Sequence, residues 1–440
     1  MTQFWLWILA VMIVWPIHST AATVGNKPIE LICSDLLFLA MPIAYPFIRS
    51  KATKLQLQQV TAKVRSYKLV PLLALIFVVY ATALAGVGLG MSGEMLRVYS
   101  AFKLVKPVAF VFLGLLLGAW TDPLEFVGIV GRVYGIVVGL TFFCTVTGPD
   151  FPMGEWGKYI FEYDLSGYPN TAMSFFAGLI PVLLASTEGS KDRHLRPIGW
   201  VLAGCSTLMI LGSMSRSSTL SLIVGVSLYL WMTGRTAFLV ASFLIITVVG
   251  IIGFGLFSML RETEVVSVLE YRLMDRLDRT TEQDDPSSGR FEIWQLAIEL
   301  WTEQPVFGYM FESFSRYAGD VDTPHQQYLE VLHKCGGLGL LLYLAVLVSC
   351  LMLAIRLLRM TKRGAPAWFQ VRAVFAMLAG LMVGNLTQPN LTFSLTGNMV
   401  FLLFGCLCSS RAVVSASQPA HPLRAKPVQK SPVPLPRIAA

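Results

Sequence analysis

Apolar positions in this chain come in unbroken runs rather than in alternation. Runs near 20 residues recur at 4–22, 29–48, 69–91, 104–120, 126–146, 171–187, 198–213, 217–233, 236–260, 336–356, 370–389 and 393–410. A helix of about 20 apolar residues crosses the ~30 Å hydrocarbon core of a bilayer. The pattern predicts an all-α, polytopic membrane protein of about twelve transmembrane helices, filling residues 1–414. The first run lacks a basic leader, so it reads as a span, although Ser19-Thr20-Ala21-Ala22 would suit a cleaved signal peptide. Only one break between runs is long, 261–335, inserted between the ninth and tenth spans. A proline-rich basic tail, 415–440, reads as disordered.

The long break has helical periodicity of its own. Val265, Leu269, Leu273 and Leu277 share a face, with Arg272, Arg276 and Arg279 opposite and Asp275 and Asp278 beside them. That predicts an amphipathic helix lying on the membrane surface, its arginines meeting lipid phosphates. Ser287 or Ser288 is placed to cap a second helix in which Trp294, Ala297, Ile298 and Trp301 share a face. Pro305-Val306-Phe307-Gly308 ends it.

Charge fixes the expected orientation. Lysines and arginines gather in one alternate set of short loops, including Lys51, Lys63, Arg193, Arg235, Arg359, Lys362 and the tail, and are sparse in the other. Basic loops stay cytoplasmic, so both termini are expected inside and 261–335 outside. Only 14% of residues are charged, against 55% apolar, with a mean hydropathy of +0.64. The net charge of +8 therefore reads as topology and contact with anionic membrane lipids, not nucleic-acid binding. The seven cysteines mostly lie in apolar runs and form no paired CxxC set, which argues for buried thiols rather than zinc.

Chemistry-bearing residues collect near the outer ends of spans. Arg216 sits in Ser215-Arg216-Ser217-Ser218, a tight connection between two apolar runs. It is either a snorkelling arginine or a phosphate ligand, since the guanidinium fork takes two phosphate oxygens at once. Arg290 begins a helix, where free backbone N–H groups already favour anions and where an arginine opposes the dipole. His325, between Pro324 and Gln326-Gln327-Tyr328-Leu329, can hold a proton or donate to phosphate. Glu30, Asp35, Glu155, Glu162 and Asp164 are the acidic candidates, and charge neutralisation of a diphosphate is expected to fall to arginine and lysine. Asn385, Gln388 and Asn390 read as helix-packing groups more readily than as cavity lining.

In this order, Ser215-Arg216-Ser217, Gly289-Arg290-x-x-x-Trp294, Pro305-x-x-Gly308, His325-x-x-Tyr328-Leu329 and Gly336-Gly337-x-Gly339 resemble the O-antigen ligase/O-antigen polymerase superfamily. The Ser166–Ala172 stretch adds to it, and the likeness covers about residues 165–350. Gln326 departs from it, since many members have asparagine after the histidine. The resemblance implies a GT-C type glycosyltransferase in the bacterial inner membrane, with a periplasmic site. It would move a glycan from undecaprenyl diphosphate to a sugar hydroxyl of lipid A–core, inverting the anomeric centre, with no metal, nucleotide or other cofactor. Matched positions are Arg216, Arg290 and His325, with Tyr328 beside them on the lipid-diphosphate side. A single large outer loop favours a ligase over a polymerase, and a short tail disfavours a protein O-oligosaccharyltransferase. A transporter would carry mid-membrane charge and repeat symmetry, neither of which the sequence shows.

Overall fold

The structure is a computed structural model that describes residues 3–14, 18–24, 27–32, 68–147, 169–213, 215–235, 237, 289–319, 321–392 and 394–409. Within these the chain is helical apart from one hairpin. The helices are α1 (Gln3–Val14), α2 (Leu69–Ser92), α3 (Met95–Trp120), α4 (Pro123–Thr147), α5 (Pro169–Glu188), α6 (Leu195–Gly212) and α7 (Arg216–Met232). After them come α8 (Arg290–Glu303), the single turn α9 (Ser315–Ala318), α10 (Gln327–Met360), α11 (Pro366–Gly384) and α12 (Ser394–Cys408).

Five of these, α2, α3, α4, α10 and α11, are long and apolar enough to cross a membrane, and α5, α6 and α12 carry shorter apolar stretches. The polytopic all-helical class expected from the apolar runs is what the structure has. The number twelve is not reached among the described residues. The ninth run, the interfacial stretch with Arg272, Arg276 and Arg279, and the basic tail all lie outside them.

The N-terminus departs from expectation. The first run stops as a helix at Val14, and His18–Val24 pairs antiparallel with Lys27–Ile32 as strands β1 and β2. Pro16 cannot continue a helix. Ser19, Thr20, Thr23, Val24, Ile29 and Ile32 then supply hydroxyl-bearing or β-branched side chains that favour extended backbone. The rest of the 29–48 run lies outside the described residues.

The helices of the bundle core cross tightly. Helix α5 is buried along its described length, and α12 is nearly so. α12 lies against α3 with almost no separation: a Cβ at Gly405 would stand 2.1 Å from the Val111 carbonyl oxygen. Membrane helices associate through such small-residue contacts because lipid offers no hydrophobic drive between them. At one end of the bundle Glu188 pairs with Arg235 and accepts the Tyr229 hydroxyl at 3.1 Å.

At the other end, α10 breaks. Gly336 has φ 68° and ψ −172°, so a nine-residue piece precedes the membrane-crossing piece. A helix break strands backbone donors and acceptors, and segment 305–311 takes them up. Tyr309 N–H donates to the His333 carbonyl (2.8 Å) and Phe311 N–H to that of Lys334 (3.2 Å). Gly337 N–H donates to the Pro305 carbonyl (2.8 Å) and Leu338 N–H to that of Val306 (3.4 Å). The Tyr80 hydroxyl donates to the Cys335 carbonyl at 2.8 Å. The backbones meet so closely that a Cβ on Gly336 would stand 2.2 Å from the Val306 oxygen, and one on Gly308 2.4 Å from the His333 oxygen. This is why Pro305-x-x-Gly308 and Gly336-Gly337 occur as a pair of motifs. Arg97 secures the clasp from α3, donating to the Tyr309 carbonyl (3.0 Å), the Met310 carbonyl (3.3 Å) and the Glu312 carboxylate (3.0 Å).

Candidate functional site

Helix α8 begins at Arg290, preceded by Gly289 at φ 75°. Gly289, not a serine, holds the capping position, because the chain enters the helix in a left-handed conformation that glycine alone takes without penalty. The guanidinium of Arg290 donates through Nη1 to the Thr387 carbonyl at 3.0 Å. One turn on, the Trp294 indole N–H donates to the Pro324 carbonyl at 3.0 Å. Helix α8 is thereby fastened at its start to two loops, the α11–α12 connection and the turn that carries His325.

His325 stands at φ 52°, left-handed backbone in a residue with a Cβ. Half-buried, its imidazole is pushed below the ordinary 6.5, first by loss of solvent and then by the Arg290 charge, with Glu330 pulling the other way. The ring is therefore neutral at neutral pH, the state a proton acceptor needs. Arg290 and His325 lie near enough for the guanidinium charge to act on the imidazole. Gln326, the departure from the family pattern, caps α10: its Oε1 accepts the Leu329 N–H at 3.0 Å. Tyr328, on the next turn, donates its hydroxyl to the Met382 carbonyl at 2.8 Å and so ties α10 to α11.

Arg216 is the first residue of α7 and is exposed there. Beneath it runs a buried chain of hydroxyls. Ser174 donates to Asn390 Oδ1 (2.7 Å) and lies 3.0 Å from Ser218, which lies 2.8 Å from Ser215. The chain links the start of α7, through α5, to the α11–α12 loop. The crossing of α7 and α11 is close here, with the Ser221 and Ser217 oxygens crowding Gly384.

Three elements thus converge on one short segment, 385–392. Thr387 holds Arg290, Asn390 receives the serine chain from below Arg216, and Thr392 binds Gln327 beside the histidine turn. Asn385, Gln388 and Asn390 are buried, which fits the packing role read for them. What the sequence did not reveal is that they belong to the hub of the site. Its partners lie 65 to 216 residues away in sequence, so no local spacing signals it. Glu30 falls in β2, while Asp35, Glu155, Glu162 and Asp164 lie outside the described residues. Among the described residues no group of three or more histidine, cysteine or acidic side chains is placed to hold a metal ion.

These features define a helical membrane protein in which Arg290 and the turn bearing His325 are fastened to one loop at one end of the bundle. The family model described as O-antigen ligase matches residues 201–344, about a third of the chain and the part that holds Arg216, Arg290 and His325. That match supports the O-antigen ligase/polymerase superfamily whose motifs the sequence resembles. No curated protein matches the chain.

Proposed function

We propose that this protein is an O-antigen ligase of the bacterial inner membrane, with both termini cytoplasmic and the site facing the periplasm. In this reading it takes a glycan from undecaprenyl diphosphate and joins it to a sugar hydroxyl of lipid A–core. The observation that carries the proposal is that Arg290, the start of the helix that follows His325, and the serine chain below Arg216 are all bonded to the one α11–α12 loop.

The step balances without a further reactant. The acceptor hydroxyl oxygen attacks the anomeric carbon from the face opposite the diphosphate, and its proton passes to the His325 imidazole. The bond from anomeric carbon to phosphate oxygen breaks, its electron pair stays on undecaprenyl diphosphate, and the anomeric centre inverts. Charge builds on the leaving oxygens, where Arg216 and Arg290 serve as fixed cations. One pre-placed donor of this kind is worth about 3–4 kcal/mol, and a general base about 10²–10⁴ in rate. Arg272, Arg276 and Arg279 are assigned to the phosphates of the acceptor lipid, and Tyr328 to the wall of the donor site.

The test is transfer by purified protein in nanodiscs, with undecaprenyl-diphosphate-linked glycan, lipid A–core and a chelator. Wild type is expected to glycosylate lipid A–core, and Arg216→Ala, Arg290→Ala and His325→Ala to lose that activity. Lengthening of the lipid-linked glycan with lipid A–core untouched would make the protein a polymerase instead.

A further inference from the structure

The backbone around His325 is poorly held by its own turn. The His325 N–H reaches only the Thr323 hydroxyl, at 3.4 Å, and the left-handed φ is unfavourable for a residue with a Cβ. Gln326 spends its amide on capping α10. The tether lies at Gln327, a fully buried residue that makes three hydrogen bonds to the α11–α12 loop. Its N–H donates to the Asn385 carbonyl (3.0 Å), its Nε2 to the Thr392 hydroxyl (2.7 Å), and its Oε1 accepts the Thr392 N–H (3.0 Å). The same loop holds Arg290 through Thr387. Histidine and arginine come from separate elements, and this loop is the piece of backbone both are fastened to.

We propose that Gln327 is a positioning residue: its amide, clasped by Thr392, sets where the His325 imidazole stands relative to Arg290. The proposal rests on the reading of His325 as proton acceptor, and it adds the part that fixes its aim. A neutral amide suits the place. It satisfies a donor and an acceptor of Thr392 together, which an apolar side chain would leave buried and unpaired, and it adds no charge beside the imidazole. The charged groups acting on His325 are Arg290 on α8 and Glu330 on α10, and segment 385–392 contains no ionisable side chain.

The experiment uses the full chain in nanodiscs and two readouts. The first is the pH dependence of diethylpyrocarbonate modification at His325, followed by peptide mass, which needs no enzymatic activity. The second is transfer, resolved into kcat and KM for the lipid-linked donor. Thr392→Val removes the hydroxyl at constant shape, Thr392→Ser restores it, and Gln327→Met removes the amide from the other side. In Thr392→Val and Gln327→Met the modification midpoint is expected to rise toward 6.5 as the imidazole drifts from Arg290. Their kcat is expected to fall on the order of 10–100-fold, the effect of a displacement near 1 Å, with KM little changed. Thr392→Ser is expected to match wild type in both readouts. A midpoint unchanged in Thr392→Val and Gln327→Met, in the folded fraction isolated by size exclusion, would overturn the proposal. Full transfer by His325→Asn would remove the proton-acceptor reading instead, leaving the modification result to decide the positioning.

Discussion

Among the described residues with left-handed backbone, the clasp and the histidine turn adopt it for opposite reasons. At the clasp, Gly308 and Gly336 take positive φ where the opposing backbone leaves no room for a Cβ. At the site, a histidine takes positive φ although glycine would do so at no steric cost. Met310 and Phe311 share that conformation beside the clasp. There the side chains pack: Phe311 is fully buried and Met310 lies against Gly88. His325 is only half-buried, so packing does not account for the strain. The clasp is glycine because of what must be absent. Strain of this kind gathers where a side chain has chemistry to do, which is what the role proposed for His325 requires of residue 325.

The comparison can be broken most forcefully at the clasp. Gly336→Ala forces a methyl group against the Val306 oxygen and keeps the left-handed φ. A loss of about 3 kcal/mol or more is expected, seen as collapse of the monodisperse peak in size exclusion and a lowered thermal midpoint. A stable, active Gly336→Ala protein would show that the two backbones do not meet as described.

His325→Gly sharpens the contrast, since it should separate folding from activity. Transfer is expected to fall by roughly 10²–10⁴, while relief of the strained φ stabilises the protein by about 1 kcal/mol. A glycine variant less stable than wild type would mean that the histidine is there for packing after all. Arg290→Lys keeps the charge and loses the planar fork that reaches both Thr387 and an anion. A fall in kcat of roughly 10–100-fold is expected, read in the same transfer assay.

The smallest effect is the most diagnostic. The folded His325 pKa lies below 6.5, so the folded protein binds fewer protons than the unfolded chain between those two values. Its contribution to stability is complete above 6.5 and is lost as pH falls toward the folded pKa. Activity should fall over the same acid limb as the base becomes protonated. Arg290→Gln removes the charge that opposes protonation, so the modification midpoint at His325 should move up by a fraction of a unit. A midpoint that stays put would show that burial alone sets the pKa.

Much of this was legible in the sequence. Apolar runs located α2, α4 through α7, α11 and α12 to within a turn or two, because a span must be apolar along its length, while α3 and α10 begin nine residues before their runs, at Met95 and Gln327. The ordered motifs pointed to Arg290 and His325, and in the structure the guanidinium charge acts on the imidazole. The hub at 385–392 was not legible, since its bonds join residues far apart in sequence and its asparagines look like ordinary packing groups. Arg97 gave no hint of holding the clasp for the same reason: Tyr309 and Glu312 are more than two hundred residues away. The hairpin at β1–β2 was missed because its residues are apolar enough to read as span, while hydroxyl-bearing and β-branched side chains after Pro16 prefer extended backbone.

The break at Gly336 also bears on how the protein lives with its bilayer. The piece of α10 beyond it holds about 24 residues, which at 1.5 Å each reaches roughly 36 Å and crosses the hydrocarbon core unaided. A span of that length answers a thinner or thicker membrane by tilting. The piece before the break is bonded to the clasp and to α11 instead, so it has no need to follow. Gly336 thus marks the seam between a stretch sized to the bilayer and a half-helix sized to its protein neighbours, with segment 305–311 bonded to both sides of it.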